Sequence, residues 1–391
     1  MKTCLVSLVS DQTIPNILIT AAIRPDYLLL LSTASMEKKN KSQAILNCLS
    51  ILNMDYHNHS SKIIVPEGSV PDFYEKVIEW LKSNRNYYQF ITNLTGGTKL
   101  MSLAAYEIFK SYGADMVYMP IPKNLYFRVH RPNDPIPVPI RLSVEAYLTA
   151  YNVSIENRKI LDELKQEAHD RKHTTYFLFD HYKEIEPLLQ QMGRILRSLK
   201  RKDVKKGYDF LMNYLPESPV EKNLLGKLGF AYAGGAISKR IDASDWNYLR
   251  GGWLEERVFL AIESILPGDN SDICLGLHCR INGNDNEYDV LFTYENILYV
   301  VECKSLKAPM GSEKQERGGT INDFLYKLGA LRQNFGLTPK GILATTSNNV
   351  LDKNGNIKPH LLERGKLFNT QIVPLRQISD LEGWLKEKIM K

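Results

Sequence analysis

The stretch Glu287–Lys304 reads E-Y-D-V-L-F-T-Y-E-N-I-L-Y-V-V-E-C-K. Two runs of aliphatic, β-branched and aromatic residues flank Tyr294-Glu295-Asn296, the pattern of a β-hairpin. Asp289 falls in the first run, Glu302 and Lys304 in the second, where a half-buried hairpin should be apolar. Side chains alternate along a strand, so Glu302 and Lys304 share one face while Cys303 points to the other. Charges enter a protein interior only when paired or bound to a metal. Two readings follow. One is a Glu–Lys pair at a solvated strand end. The other is a metal-dependent phosphodiesterase centre, with Asp289 and Glu302 as hard oxygen ligands and Lys304 beside them.

Upstream, Gly251-Gly252-Trp253-Leu254-Glu255-Glu256 opens a helix whose apolar face is Leu254, Val258, Ala261, Ile262 and Ile265. Glu255 lies at the edge of that face and is expected to turn toward the hairpin. Glu256 aligns with Leu260 and Glu263 and is expected to face solvent, as a favourable partner of the helix dipole. Residues 272–281 read as a strand and 283–286 as a turn before the hairpin. A helix is expected over 322–335, packed through Phe324, Leu325, Leu328 and Leu331. Strands follow at 341–346 and 372–375, then a helix over 381–389. On the 322–335 helix, Arg332 and Gln333 are candidate phosphate contacts, although exposed helix polarity accounts for them better.

At the other end of the chain, apolar strand-like runs at 4–10, 27–33, 63–66, 87–94 and 115–120 alternate with helical patterns at 14–23, 37–53, 71–82 and 98–112. This alternation predicts a parallel, Rossmann-like α/β sheet over 1–150, and ligands of such sheets bind at the carboxyl ends of the strands. Two of those ends are chemically distinctive: Ser10-Asp11-Gln12-Thr13 and Asn93-Leu94-Thr95-Gly96-Gly97-Thr98-Lys99. The glycines permit close backbone approach and Thr98 can cap the helix. Free N–H groups at the helix start, with Lys99 in its first turn, suit an anion. A cation there opposes the macrodipole, so Lys99 is better explained by a phosphate-bearing ligand than by the helix. Neither a Walker A sequence nor G-x-G-x-x-G after the first strand is present, which disfavours a P-loop NTPase and a dinucleotide dehydrogenase.

The remaining features bound these readings. A chain of 391 residues suggests about two to three domains. A formal charge of +6 is compatible with a polyanionic partner. Five scattered cysteines without a C-x-x-C pair argue against a zinc ribbon or disulfide framework. The start of the chain has no signal-peptide pattern, and no apolar run reaches membrane-spanning length, so a cytoplasmic location without membrane attachment is the expectation. Residues 121–142 are proline-rich and read as an edge hairpin. The connecting region, 151–249, has helical spacing at 155–171 and 184–200, the outline of a small winged-helix-like module. Its segment 194–206 carries seven Lys/Arg against one Asp, either a solvated helix face or a surface that guides nucleic acid. Residues 221–235 read as irregular, and His169, His173 and His181 as surface residues.

The first strand ending V-S-D-Q-T-I-P-N, with N-L-T-G-G-T-K-L-M after the fourth, resembles the CRISPR-associated Rossmann-fold sensor domain of the CRISPR ancillary nucleases of type III systems. G-x-W-L-E, followed by Asp289 and Glu302-Cys303-Lys304, resembles their restriction-endonuclease-like PD-(D/E)XK effector domain. The resemblance implies a sensor domain over 1–150, a connecting region over 151–249 and a nuclease domain over 250–391. It implies a homodimer whose sensor pocket, lined by Ser10, Asp11, Gln12, Thr13, Asn93, Thr95, Gly96, Gly97, Thr98 and Lys99, takes cyclic oligoadenylate, with cyclic tetra-adenylate as the allosteric activator. It further implies Mg²⁺ or Mn²⁺ on Glu255, Asp289 and Glu302, with Lys304 completing the catalytic set, and hydrolysis of DNA (single-stranded, or nicked duplex) and of RNA. The competing expectations are a non-catalytic, ligand-controlled nucleic-acid-binding regulator and an unregulated repair or restriction nuclease.

Overall fold

The structure is a computed structural model that describes residues 1–268, 271–281, 283–305 and 321–390. The N-terminal sheet consists of β1 (Lys2–Leu8), β2 (Tyr27–Ser32), β3 (Ser60–Ile64), β4 (Tyr88–Asn93), β5 (Asp115–Tyr118), β6 (Leu125–Arg128) and β7 (Arg131–Pro137). Its order is β3-β2-β1-β4-β5-β6-β7. The first five strands are parallel, and β6 and β7 add an antiparallel edge. The central strands β1 and β2 are apolar on both faces because each face packs into a buried cluster, while the edge strand β3 is more polar. β1 has β2 on one side and β4 on the other, so the strand order reverses between β1 and β4, and a crevice opens there at their carboxyl ends.

Local signals explain the boundaries. The helical pattern over 37–53 divides at Asn40, whose φ of 53° ends one helix, Ala34–Lys38, and precedes the next, Lys41–Ile51. Residues 221–235, expected to be irregular, are ordered instead. Ser218 and Glu221 form a capping box that starts the helix Pro219–Lys227. The pair Gly234-Gly235, both at positive φ, turns β10 (Ala231–Ala233) into β11 (Ala236–Ile241). With β9 (Tyr208–Asn213) these strands make a small antiparallel sheet in the order β10-β11-β9. Of the glycines in this stretch, Gly226 lies within the helix, Gly229 follows its end, and the Gly234-Gly235 pair is hairpin-turn chemistry.

The C-terminal sheet is built from β12 (Ser271–Ile281), β13 (Asn284–Tyr294), β14 (Ile297–Lys304), β15 (Lys340–Thr345) and β16 (Thr370–Pro374), in the order β16-β15-β14-β13-β12-β8. β8 (Ser154–Ile155), a two-residue strand from the connecting region, closes its edge against β12. β12 to β14 are antiparallel, while β14, β15 and β16 run parallel. The halves share an apolar core: Leu5, Ile17 and Tyr147 belong to the same buried cluster as Cys274, Tyr288 and Leu343. All five cysteines are buried and free. Among the described residues, no helix is long and apolar enough to cross a membrane.

Candidate active site and sensor pocket

The hairpin forms where its sequence places it. β13 pairs with β14 from Tyr294↔Ile297 to Val290↔Val301, so the next residues along the two strands are Asp289 and Glu302. Glu295 and Asn296 turn the chain with φ of 51° and 60°, the geometry of a type I′ turn. Cys303 is buried on the opposite face from its charged neighbours. Its backbone N–H donates to Asp289 Oδ2 at 2.6 Å and fixes that carboxylate against the strand. Lys304 Nζ lies 2.8 Å from Glu302 Oε1 and 3.7 Å from Asp289 Oδ2, and also sits over the Phe324 ring. Glu302 is only 2 % exposed, so the solvated strand-end pair is not what the fold builds.

A second ammonium completes this arrangement. Lys327, on the helix Ile321–Gln333, lies 3.3 Å from Glu302 Oε1 and 3.2 Å from Oε2. Sequence reasoning placed its candidates later on the same helix, at Arg332 and Gln333, whose side chains lie outside the described residues. Lys327 falls one turn after Asp323 and carries no motif; only the packing of the helix against β14 singles it out.

Glu255 stands in the first turn of the helix Trp253–Ile265 and is partly buried. Burial, reinforced by the charge of Asp289, pushes its carboxyl up to about 8, and Lys304 offsets only part of this. Burial and the neighbouring Glu302 push Asp289 up to about 6, against the pull of Lys304, the Cys303 amide and Lys327. For Lys304, burial works against the ammonium, but Asp289 and Glu302 outweigh it and the net shift is upward. Two carboxyl groups, Glu255 and Asp289, are thus held back from ionising by burial and a neighbouring acid, the electrostatic signature of a functional site.

Glu256 corrects an expectation. It is 5 % exposed and faces away from solvent. Its Oε1 accepts from Arg171 Nε at 2.9 Å and Nη2 at 2.5 Å, and Thr175 Oγ1 donates to its Oε2 at 3.4 Å. The helix has two buried faces, because helices Leu161–Asp170 and Lys172–Asp180 of the connecting region cover the side that periodicity assigned to water.

The donor set suits a hard divalent cation in its chemistry: carboxylate oxygens from Asp289 and Glu302, with the Cys303 thiol turned into the core and Glu255 adding to the local negative field. Among the described residues, no group of three or more His, Cys, Asp and Glu is drawn together closely enough to hold a metal ion.

In the N-terminal domain the two distinctive loops lie side by side, because β1 and β4 pair in parallel with Ser7 opposite Asn93. A Cβ at Gly96 would come 2.2 Å from Leu8 O, so only glycine allows this approach, and Gly97 has φ +76°. The predicted pocket residues divide by role. Thr13, Asn93 and Gly96 are buried scaffold. Thr13 Oγ1 donates to Ala150 O at 2.6 Å. Asn93 Nδ2 donates to Asn16 Oδ1 at 3.1 Å, and Asn93 Oδ1 accepts from Thr95 N at 3.0 Å. Thr98 caps the helix Lys99–Ser111 by accepting from Met101 N at 3.2 Å, and Thr95 Oγ1 accepts from Met119 N at 2.9 Å. Asp11, Thr98 and Lys99 are exposed on the rim, and Ser10, Gln12 and Gly97 are partly exposed. Asp11 is paired with Lys39 at 2.9 Å and lies 3.9 Å from Lys41. These two lysines come from the break between the 34–38 and 41–51 helices, and nothing in the sequence near Asp11 announces them.

Contacts at two places tie sensor loops to the nuclease half. Gln12 Oε1 accepts from Leu337 N at 3.0 Å, just beyond the helix that carries Lys327. At the Glu295-Asn296 turn, Asn124 Nδ2 donates to Glu295 Oε2 at 2.6 Å, and Arg141 Nη2 pairs with the same carboxylate oxygen at 2.7 Å.

The fold and sites define a two-domain protein: a Rossmann-like sensor-type domain joined to a domain whose sheet centre carries the acids and lysine of a phosphodiesterase. Residues 4–147 match the Card1 CARF domain (CARF is CRISPR-associated Rossmann fold), and residues 242–367 match the Card1-like endonuclease domain. The chain therefore pairs a Card1-type CARF domain with a Card1-like endonuclease domain. Among solved structures it is similar in fold to protein VC1899 from Vibrio cholerae (18% identity, TM-score 0.77, covering 98% of this chain and 97% of that one). It is similar also to Can2 from Sulfobacillus thermosulfidooxidans, solved in complex with cyclic tetra-adenylate (18% identity, TM-score 0.73, 98% of both chains). A type III CRISPR defence DNA nuclease activated by cyclic oligoadenylate aligns at 17% identity and TM-score 0.50, covering 88% of this chain and 45% of that one. No curated protein matches the sequence.

Proposed function

We propose that this protein is a metal-dependent endonuclease, switched on by a cyclic oligoadenylate held across a homodimer of its sensor domains. The reading rests above all on one observation: Asp289, Glu302, Lys304 and Lys327 converge at the centre of the C-terminal sheet, with Glu302 2 % exposed. A purely binding regulator has no use for an acid buried at such cost between two ammonium groups. The division of the chain is taken as a sensor over 1–150, a connecting region over 151–249 and a nuclease over 250–391.

Asp289 and Glu302 would hold Mg²⁺ or Mn²⁺, with Glu255 beside them. Such an ion supplies an acidified water and neutralises phosphate charge. Lys304 Nζ, held between the two carboxylates, orients the attacking oxygen and offsets charge on the pentavalent phosphate. Lys327 Nζ, within reach of both Glu302 oxygens, holds that carboxylate in place. The Cys303 amide fixes the second oxygen of Asp289, so that carboxylate keeps one direction through the reaction. The buried Cys303 thiol takes no part.

In the sensor domain, Lys99, the Gly96–Gly97 backbone and the exposed rim bind the phosphates, and Gln12 and Thr98 are placed for ribose and adenine edges. The ring is taken as cyclic tetra-adenylate and the substrate as DNA, with RNA as a second substrate. The test incubates plasmid DNA and labelled RNA with Mn²⁺, with and without cyclic tetra-adenylate. Cleavage only when both are present is the expected result. Binding of DNA without any cleavage would refute it.

A further inference from the structure

The basic segment 194–206 is not explained by the sensor or by the catalytic acids. It leaves the helix Tyr182–Ser198 through Arg197, in the last turn. A cation at a helix C-terminus is ordinary, but a second arginine arrives there from elsewhere. Trp246, on the short helix Ala243–Asn247, donates Nε1–H to Leu196 O at 3.2 Å. The Arg250 guanidinium lies over the Trp246 ring, 4.1 Å from its centre. One indole therefore holds the end of the Arg197 helix and carries Arg250 on its face. Arg197 and Arg250 are both exposed. Burial and the like charge of Arg197 hold Arg250 below its usual range. Among the described residues, no carboxylate is paired with either guanidinium, and two such groups kept together suit an anion.

The position of the pair narrows the anion. Gly251, next to Arg250, has φ +141°, and a Cβ there would come 2.6 Å from Ser305 Oγ, the residue after Lys304. The Tyr248–Gly252 turn then enters the helix whose first turn holds Glu255. Behind it, the connecting region rests on the catalytic strand, because Tyr182 shares a buried cluster with Cys303 and Ala344, and Thr346 N donates to Lys304 O at 3.2 Å. The arginine pair thus adjoins the exposed edge of the catalytic centre.

We infer that Arg250 and Arg197, spaced by Trp246, form a phosphate clamp that holds the polynucleotide backbone beside the scissile bond. The ring face under Arg250 is occupied, so Trp246 serves to place the guanidinium groups and does not stack on a base. Planar guanidinium groups match phosphate oxygens in pairs. Arg250 and Arg197 are positioning residues and act on binding. The clamp rests on the nuclease reading above, so its test separates the two.

Fluorescein-labelled single-stranded DNA is titrated by anisotropy across a salt series, in the Glu302→Gln background with saturating cyclic tetra-adenylate. Losing both arginines should reduce the slope of log K against log salt by about 0.7 for each lost phosphate contact. Arg197→Ala alone, which leaves the Trp246 packing intact, should give about half the effect. Arg250→Lys should restore most of the slope, since the charge remains. In the cleaving background the double variant should raise KM and leave kcat within about twofold. An unchanged slope and KM in a chain that still cuts DNA overturns the clamp and leaves the nuclease reading standing. A lowered slope in a chain that never cuts overturns the nuclease reading and leaves the clamp.

Discussion

Asn124 and Asn296 face each other across the domain boundary: Asn296 Nδ2 donates to Asn124 Oδ1 at 2.8 Å, while Asn124 Nδ2 reaches the neighbouring Glu295 carboxylate at 2.6 Å. The carboxamide of Asn296 also bonds Leu142 N and Ile140 O, so the whole turn is seated in the sensor domain. The hairpin that carries Asp289, Glu302 and Lys304 is therefore anchored at its tip to the segment that follows Met119. Met119 N in turn bonds Thr95 in the Gly-Gly loop. Asn124→Ala is expected to leave cyclic tetra-adenylate affinity unchanged and to uncouple it from cleavage. It should also lower stability by about 1–3 kcal/mol, the cost of stranding buried polar partners. Calorimetry on the sensor site and cleavage rates with and without effector read the two effects separately, and an unaltered activation ratio would dismiss the anchor as a coupling element.

Asp289→Asn and Glu302→Gln should each reduce cleavage by about a thousandfold or more, the scale of a lost cation-holding carboxylate. Effector binding should persist in both. Lys327→Ala is expected to be milder in rate, since it loses a group that restrains Glu302 and does not touch the reacting phosphate. A Glu302→Gln chain with full activity would remove the hairpin from the chemistry.

The two acids side by side on one helix should separate by phenotype. Glu256→Ala takes from Arg171 its buried carboxylate but leaves it Glu167 at 3.0 Å and Ser244 at 2.8 Å, so a loss of about 1–3 kcal/mol is expected; denaturant unfolding should register it. Glu255→Gln removes a carboxyl that burial and Asp289 already hold back from ionising. It should leave stability at neutral pH unchanged or raised, and impair cleavage. Reversal of these two outcomes would interchange the roles assigned to the neighbours.

The pH dependence follows from the raised carboxyls. With Glu255 near 8 and Asp289 near 6 in the folded chain, against ordinary values near 4, the folded state binds more protons than the unfolded one between those limits. Their contribution to stability is complete below about pH 4 and is lost as pH rises through 6 and then 8. Thermal melts of the metal-free protein between pH 5 and 8 should therefore show this contribution falling, and Glu255→Gln should flatten the trend. Added Mn²⁺ should stabilise most at the alkaline end, where the oxygens are free to bind it. A Mn²⁺ effect independent of pH would argue against these carboxylates as its site.

For the sensor pocket, Lys99→Ala should weaken cyclic tetra-adenylate binding by about tenfold, the loss of one charge-assisted phosphate contact. Gly96→Ala should weaken it at least as much, since its Cβ would meet Leu8 O at 2.2 Å and drive the two loops apart. Isothermal calorimetry measures both; an unchanged Kd for Lys99→Ala takes that lysine out of the pocket.

Much of the architecture was legible because its signals are local. Strand-helix alternation, the Glu295-Asn296 turn and the spacing of Glu302 and Lys304 each need only a few neighbouring residues. The errors fall where distant segments meet. Glu256 reads as solvent-facing until the helices of the connecting region cover it, and Lys327 is an ordinary helix lysine until it packs against Glu302. Asn93 and Thr13 read as ligand contacts from their chemistry, and local sequence could not show that their side chains also bond Asn16, Thr95 and Ala150, as a buried amide or hydroxyl must find a partner. Residues 221–235 were misjudged for a local reason: paired glycines mark a tight hairpin as readily as an irregular loop.

The strand Ser154–Ile155 and the shared cluster running from Leu5 to Leu343 carry a consequence for descent. A crossover between relatives at residue 150 would leave the strand Ser154–Ile155 with the nuclease sheet but divide the shared cluster, setting unmatched surfaces against Tyr147 on one side and Tyr288 on the other. New ligand specificities are then more readily reached by changing the exposed rim of the two sensor loops than by exchanging whole domains.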